Sequence, residues 1–273
     1  MPFVPTRAGT LAYHVRGSGP TVVLLPATLH DHHDFDAVSA DLAQHYRVVA
    51  VNWPGCGDSP PAPDPHAVTA PLLADGLEDL VAGLGEEPAI LIGNSVGGFA
   101  AARLAIRQPH RVAGLVLVNT GGFLPMNPIL RLFCRTLGTP QVARLILPAF
   151  IRLYMQADND LARAARDRAV ARARTASGVA MTAALWRSFA TDAHDLRPVA
   201  GTLTAPALIV WGSRDTAIPL PIGRATHRAL PGARFETLPT GHVPFASAPE
   251  DFLAVLHPFL TQTLGTTEGS PHQ

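Results

Sequence analysis

One segment of the chain has the residue types of a nucleophilic serine. Residues 93–98 read Gly-Asn-Ser-Val-Gly-Gly, between an apolar run at 89–92 and a helical stretch of small residues. A glycine-flanked serine between a strand and a helix is typical of a sharp turn that exposes the hydroxyl above a sheet edge. The helix amino end would offer free N–H groups and partial positive charge to a developing oxyanion. We therefore predict that Ser95 is a nucleophile; the alternative is an incidental serine in a glycine-rich turn.

A serine hydroxyl needs a base, and the base needs an acid that orients it. Asp215 follows the apolar run 206–211, where a carboxylate would lie at the functional edge of a parallel sheet. His242 lies in a glycine-flanked segment between the last predicted strand and the last predicted helix. The chain has 12 histidines, so position rather than residue type selects this one. The order Ser95, Asp215, His242 predicts a catalytic triad, with helix capping as the alternative role of Asp215.

Apolar runs alternate with helical segments along most of the chain, which predicts a parallel sheet with right-handed crossovers. Residues 122–198 break this alternation and read as helical throughout. We therefore predict one sheet domain in two parts, residues 1–121 and 199–264, with a helical insertion at 122–198 and a flexible tail at 265–273. Strands are expected within 3–16 (two) and at 21–26, 47–51, 88–93, 112–118, 206–211 and 233–238, and helices at 36–44, 68–84, 96–107, 219–230 and 248–262.

From about residue 3 to 262 the chain resembles the α/β-hydrolase superfamily. The motifs that carry this resemblance are the serine turn, the Trp-Gly-x-x-Asp segment at 211–215, the Gly-His-x-Pro-Phe segment at 241–245 and the glycine-proline loop at 53–60. The resemblance implies an α/β fold with a mostly parallel eight-stranded sheet flanked by helices. It also implies that residues 122–198, inserted after the sixth strand, form the cap that covers the active site.

The resemblance further implies an oxyanion hole made by the backbone N–H groups of Thr28 and Val96. Two positions depart from the family's pattern. Pro26-Ala27-Thr28 stands where many members carry His-Gly, and Asn52 stands where many relatives have an aspartate. We expect Asn52 to fix its loop and not to serve as the catalytic acid.

Residues 29–34 read Leu-His-Asp-His-His-Asp, a segment with several interpretations. A zinc site is one, but catalytic zinc usually takes three ligands held on rigid elements, and a triad needs no metal. His30 is a candidate substrate contact, because the loop borders the predicted oxyanion hole; a solvated turn that caps the next helix is the alternative. The segment also resembles the cofactor-independent dioxygenases of the superfamily. Their acid follows the sixth strand, where this chain has Val118-Asn119-Thr120 and no carboxylate.

Composition excludes several classes of function. The 273 residues carry 21 basic side chains, all arginine, against 21 acidic ones, so a nucleic-acid partner is not expected. No secretory signal, membrane-spanning run or dinucleotide or P-loop motif is visible, so we expect a cytoplasmic protein with no membrane partner and no cofactor. Cys56 and Cys134 have no metal or redox spacing and are expected to be reduced thiols.

These observations favour hydrolysis of a small-molecule ester, lactone or related carbonyl substrate through the triad and an acyl-enzyme. Asn94 and Phe123 join His30 as candidate substrate contacts, and a homodimer is the candidate assembly. Three alternatives stay open: a carbon–carbon bond hydrolase of the type that acts on ring-fission products, a cofactor-independent dioxygenase, and a ligand receptor that keeps the fold without turnover.

Overall fold

A computed structural model describes residues 1–265 of the chain. Within this range eight strands form one sheet, in the spatial order β1-β2-β4-β3-β5-β6-β7-β8. β1 and β2 pair antiparallel, as do β2 and β4, and the remaining neighbours are parallel, which confirms the predicted mostly parallel sheet. The strands are β1 (Phe3–Thr6), β2 (Gly9–Arg16), β3 (Thr21–Leu25), β4 (Arg47–Val51), β5 (Ala89–Asn94), β6 (Val112–Val118), β7 (Ala207–Gly212) and β8 (Arg234–Leu238).

Helices connect the strands and extend beyond the last one. They are α1 (Asp36–Leu42), α2 (Ala70–Leu84), α3 (Val96–Arg107), α4 (Pro128–Leu137), α5 (Pro140–Met155), α6 (Asp160–Arg172), α7 (Ala176–Phe189), α8 (Leu220–Ala229), α9 (Pro244–Ser247) and α10 (Pro249–Gly265). The last predicted helix starts near its expected position, but a separate short turn of helix, α9, precedes it. None of the helices within residues 1–265 is long and apolar enough to cross a bilayer.

The central strands β3, β5, β6 and β7 consist mainly of buried apolar residues, as expected for parallel strands covered on both faces. Helix α3 packs against β5 and β6, and α10 also packs against β6. Because parallel strands end at one edge, the segments after β3, β5, β6, β7 and β8 converge there. That edge holds Thr28, Ser95, Asn119, Asp215 and His242.

Helices α4 to α7 fall within the predicted insertion, and we refer to residues 122–198 as the cap. The cap is not helical throughout: residues 122–127 are irregular, and short 3-10 turns over Asp192–His194 and Arg197–Thr202 lead back to the sheet. Helix α5 packs on α6 and α7, and α4 packs on α7. Of the tail predicted at 265–273, Gly265 ends α10, and residues 266–273 lie outside the described range.

Candidate active site

Ser95 occupies the sharp turn between β5 and α3. Its backbone has φ 55° and ψ −114°, a conformation that L-residues rarely adopt. The chain can turn this tightly because glycines surround it: a Cβ at Gly97 would lie 2.5 Å from the carbonyl oxygen of Leu25. The turn therefore brings the end of β3 and the start of α3 into close approach, with Ser95 on the wall of a cavity.

His242 and Asp215 form a buried pair at the same sheet edge. Nδ1 of His242 lies 2.7 Å from Oδ2 of Asp215, and the carboxylate can only accept, so Nδ1 carries the proton. The other carboxylate oxygen accepts the N–H groups of Ala217 and Ile218 at 2.7 and 3.1 Å. The carboxylate is thus held by three donors, and the tautomer that this contact selects leaves Nε2 as the acceptor atom of the ring. His242 lines the same cavity as Ser95.

Two buried asparagines hold the His242 loop on the sheet. The Nδ2 groups of Asn94 and Asn119 both donate to the carbonyl oxygen of His242, at 3.0 and 2.9 Å. Oδ1 of Asn119 also accepts the N–H of Gly212 at the end of β7. Asn94, a candidate substrate contact, therefore directs its amide at backbone groups and does not line the cavity. Sequence reasoning missed Asn119, although a polar residue directly after β6 was the available signal.

The predicted oxyanion donors also lie on the cavity wall. Val96 is the first residue of α3, where backbone N–H groups lack partners within the helix. Thr28 follows β3 and precedes Leu29, which has a positive φ of 69°. This loop is anchored on two sides. Nε1 of Trp53 donates to the carbonyl oxygen of Pro26 at 2.7 Å, and Arg172 of the cap donates to that of Leu29 at 2.7 Å.

His30 belongs to a second polar cluster beside the first. Its Nδ1 is hydrogen-bonded to a carboxylate oxygen of Asp34, and its Nε2 lies 3.0 Å from the hydroxyl oxygen of Tyr154. Arg168 of α6 donates to Asp34 at 2.7 Å. His30 itself does not line the cavity; Tyr154 does, and its ring packs edge-on against His242 at 5.2 Å. Burial raises the pKa of Tyr154, and the charges of Asp34 and Asp215 raise it further.

Asp31 ties the same loop to the cap. It caps the short turn His32–Phe35 by accepting the N–H of His33, and Arg168 and Arg172 form ion pairs with it. Burial would raise the pKa of Asp31, but the attraction of the two guanidinium groups outweighs it and lowers that pKa below its usual value. Residues 29–34 therefore link the sheet domain to the cap through ion pairs, and we call this set of contacts the joint.

One group of potential metal ligands occurs within residues 1–265: His14, His32 and Asp58, whose ligand atoms lie within 4.8 Å of one another. The rings of His14 and His32 stack 3.8 Å apart and only 12° from parallel, so their in-plane lone pairs do not converge on one point. Nδ1 of His32 contacts Asn52, and Nε2 of His14 contacts Asp58. The arrangement is a stacked hydrogen-bonded cluster with poor geometry for an ion.

The cavity that Ser95 lines has a volume of about 690 Å³, and residues of the cap form much of its lining. Among residues 1–265, no aspartate, glutamate or arginine lines this cavity, and most of its lining is apolar. Phe123, a candidate substrate contact, is buried and does not line the cavity, whereas its neighbours Gly122 and Leu124 do. The large apolar side chains of the wall are Leu29, Leu124, Met126, Ile129, Leu130, Phe133, Leu147, Phe150, Ile151, Tyr154, Trp186, Phe189, Ile218 and Ile222.

Both cysteines are free and buried. Burial raises the pKa of Cys56 to about 12 and that of Cys134 to about 11. Although Cys134 lines the cavity, both thiols are held protonated and are therefore poor nucleophiles.

The sheet order, the cap and the serine turn define an α/β hydrolase. The model of the alpha/beta hydrolase family matches residues 22–255, and the chain belongs to this family of enzymes. It is 29% identical over 251 residues to the pimeloyl-[acyl-carrier protein] methyl ester esterase of Chromobacterium violaceum. The alignment covers 88% of this chain and 94% of the esterase.

Solved structures agree with this assignment. The enol-lactonase of Burkholderia xenovorans LB400 superimposes with a TM-score of 0.79 at 25% identity, covering 95% of this chain and 100% of the lactonase. A thermophilic esterase of Thermogutta terrifontis superimposes with a TM-score of 0.82 at 24% identity, covering 96% and 98%, and shows the same fold.

Proposed function

We propose that the protein is a serine hydrolase that cleaves small carboxylic esters through an acyl-enzyme. The observation that carries the proposal is the buried pair of His242 and Asp215 on a cavity shared with Ser95. Nε2 of His242 removes the proton from the Ser95 hydroxyl as its oxygen attacks the ester carbonyl, and then returns it to the leaving alcohol. Water repeats the sequence on the acyl-enzyme and releases the acid. Asp215 holds His242 in the required tautomer.

In this mechanism the negative charge on the carbonyl oxygen is stabilised by the backbone N–H groups of Thr28 and Val96. Such donors act strongly in a site that excludes water, and each one is worth about 10²–10³ in kcat. The anchors on the loop 26–29, from Trp53 and Arg172, support this role because they restrict the position of the Thr28 N–H.

The cavity wall favours a substrate with an uncharged, apolar acyl group. Burying a carboxylate or ammonium there would be costly, because the described wall offers no opposite charge. This argues against strongly anionic substrates. Lactones are the second candidate, favoured by the similarity to an enol-lactonase. Dioxygenase chemistry is disfavoured, since Asn119 follows β6 and the acid that contacts His242 follows β7.

The test combines covalent labelling with turnover. A fluorophosphonate should add to Ser95, located by mass spectrometry, and methyl octanoate should be hydrolysed. Ser95→Ala should lose both properties, with kcat lower by about 10⁶. Ser213→Ala, at an exposed serine near Asp215, is the matched control and should keep both. Label on another serine would refute the nucleophile, and a labelled but inactive protein on a broad ester and lactone panel would favour the receptor alternative.

A further inference from the structure

Two neighbouring helices of the cap leave apolar side chains uncovered. Helices α4 and α5 pack on each other and are separated in the chain only by Gly138 and Thr139. They carry six of the eleven large apolar side chains that are exposed within residues 1–265, and we call these six the apolar surface: Ile129, Leu132, Phe133, Leu145, Ile146 and Leu153. An exposed apolar surface of this kind marks a site of interaction with a protein or a membrane.

The apolar stripe of α4 is wider than the part that the cap buries. Ile129, Leu132 and Phe133 are spaced by three and four residues, so they lie on one side of the helix. Ile129 is 81% and Leu132 is 66% exposed, whereas Cys134 and Leu137, further round the helix, are buried. Packing within the chain therefore uses only part of the stripe and leaves the rest for a partner.

The same two helices are positively charged. Residues 128–155 include four arginines and no aspartate or glutamate. Arg131 pairs with Asp192, whereas Arg135 and Arg144 have no carboxylate partner within residues 1–265. The whole cap has eleven arginines against five aspartates, so the rest of the neutral chain carries the opposite excess. An anionic partner would be attracted to this part of the molecule, and a second copy that presented the same arginines would be repelled.

Two residues connect the apolar surface to the cavity. Ile129 and Phe133 line the cavity and are also exposed, so α4 lies where the cavity wall meets the outer surface. An apolar ester prefers lipid to water. It could therefore pass from a bilayer into the mostly apolar cavity along apolar side chains. A lipid surface thus accounts for the arginines, for the exposed apolar side chains and for the position of the cavity, whereas an acidic protein accounts directly only for the arginines.

We propose that α4 and α5 dock the protein on an anionic lipid surface, with the apolar surface among the acyl chains and Arg135 and Arg144 near the head groups. Interfacial helices with apolar residues on one face and arginines on the other bind in this way. The expectation of no membrane partner rested on the lack of a run that could span a bilayer, and peripheral docking needs no such run. Docking is independent of the reaction, but its use in substrate uptake rests on the proposed ester hydrolysis.

Binding to large unilamellar vesicles tests the proposal. The Ser95→Ala chain is co-sedimented with vesicles of phosphatidylcholine, with or without phosphatidylglycerol, so that no lipid ester is cleaved. The partition coefficient should be at least about tenfold higher for the anionic vesicles, because several arginines approach the head groups. It should fall as salt is added, since screening weakens the attraction. Because the measurement needs no turnover, the docking result stands or falls separately from the proposed ester hydrolysis.

Single substitutions in the Ser95→Ala chain locate the docking surface. Leu132→Ser and Leu145→Ser remove exposed apolar side chains that do not line the cavity, and each should weaken binding about tenfold. Arg135→Gln and Arg144→Gln should each weaken binding to the anionic vesicles about fivefold and leave binding to phosphatidylcholine unchanged.

Two matched controls lie outside α4 and α5. Val199→Ser removes an exposed apolar side chain from the 3-10 turn that leads back to the sheet, and Arg228→Gln removes an exposed arginine from α8. Both should bind vesicles like the parent chain. Circular dichroism checks that every variant is folded.

Three results would overturn the proposal. Equal binding to neutral and anionic vesicles, or binding to neither, would exclude an anionic lipid surface as the partner. Binding that persists in Leu132→Ser and Leu145→Ser but is lost in the arginine variants would indicate a site for an acidic protein. A dimer in sedimentation velocity that Leu132→Ser abolishes would assign the apolar surface to a second copy of the chain.

Discussion

Residues 1–265 contain two buried histidine–aspartate pairs with the same contact between the ring and the carboxylate. In His242–Asp215 and in His30–Asp34, Nδ1 of the ring meets a carboxylate oxygen, and all four side chains are shielded from solvent. They differ in what lies on the other side of the ring. His242 lines the cavity together with Ser95, whereas Nε2 of His30 is occupied by the hydroxyl of Tyr154.

The two carboxylates differ as well. The second oxygen of Asp215 accepts backbone N–H groups of its own loop, while that of Asp34 accepts the guanidinium of Arg168 from the cap. One pair is thus oriented locally and leaves its histidine free for proton transfer. The other is a joint between two parts of the chain. A buried histidine–aspartate contact is therefore insufficient evidence of catalysis; the partner of Nε2 decides what the pair does.

The largest expected difference in kcat comes from replacing the aspartate of each pair with asparagine. Asp215→Asn should lower kcat for ester hydrolysis by about 10⁴, because the amide favours the wrong tautomer of His242. Asp34→Asn should lower kcat by less than about tenfold, since His30 does not line the cavity. Ester hydrolysis is measured on both variants at matched folded fractions from circular dichroism. Comparable losses of kcat in the two folded variants would mean that both pairs serve the reaction.

A smaller effect, on stability, is expected at the joint. Arg172→Ala should lower the free energy of unfolding by about 3 kcal/mol, near the low end for breaking a buried ion pair, because Arg168 still contacts Asp31. The pKa of Asp31 is lower in the folded chain than in the unfolded one. Its contribution is therefore fully present above about pH 4 and is lost as pH falls through the folded pKa. The difference in the free energy of unfolding between the parent chain and Arg172→Ala should therefore decrease as the pH is lowered.

Urea unfolding at pH 7 and at successively lower pH measures this gap. Arg174→Ala removes an exposed arginine just beyond α6 and should change stability by less than about 0.5 kcal/mol. A stability gap that does not change with pH would show that Arg172 acts through packing and not through Asp31.

The smallest effect is expected at Tyr154, whose side chain contacts the histidine of each pair. Tyr154→Phe leaves Nε2 of His30 buried without a partner, which should cost about 1–3 kcal/mol of stability. The ring that packs on His242 is retained, so kcat should stay within about threefold. Thermal unfolding and ester hydrolysis measure the two quantities, with the half-buried Tyr46→Phe as control. A kcat loss as large as that of Asp215→Asn would place the Tyr154 hydroxyl in the reaction.

The sequence by itself determined the fold class and the positions of Ser95, Asp215 and His242 at strand ends. This was achievable because the signals are local: buried parallel strands are short apolar runs, and a tight strand-to-helix turn demands glycines near the serine. The assembly, expected to be a homodimer, stays a prediction.

Only the tertiary structure decided which polar residues reach the cavity. His30 meets Tyr154 at a separation of 124 residues, and Asn94 meets His242 at 148. Neither contact can be predicted from the local sequence, because each depends on how elements distant along the chain pack together. Local propensity specifies where a side chain sits on its own element, whereas tertiary packing decides what that side chain faces.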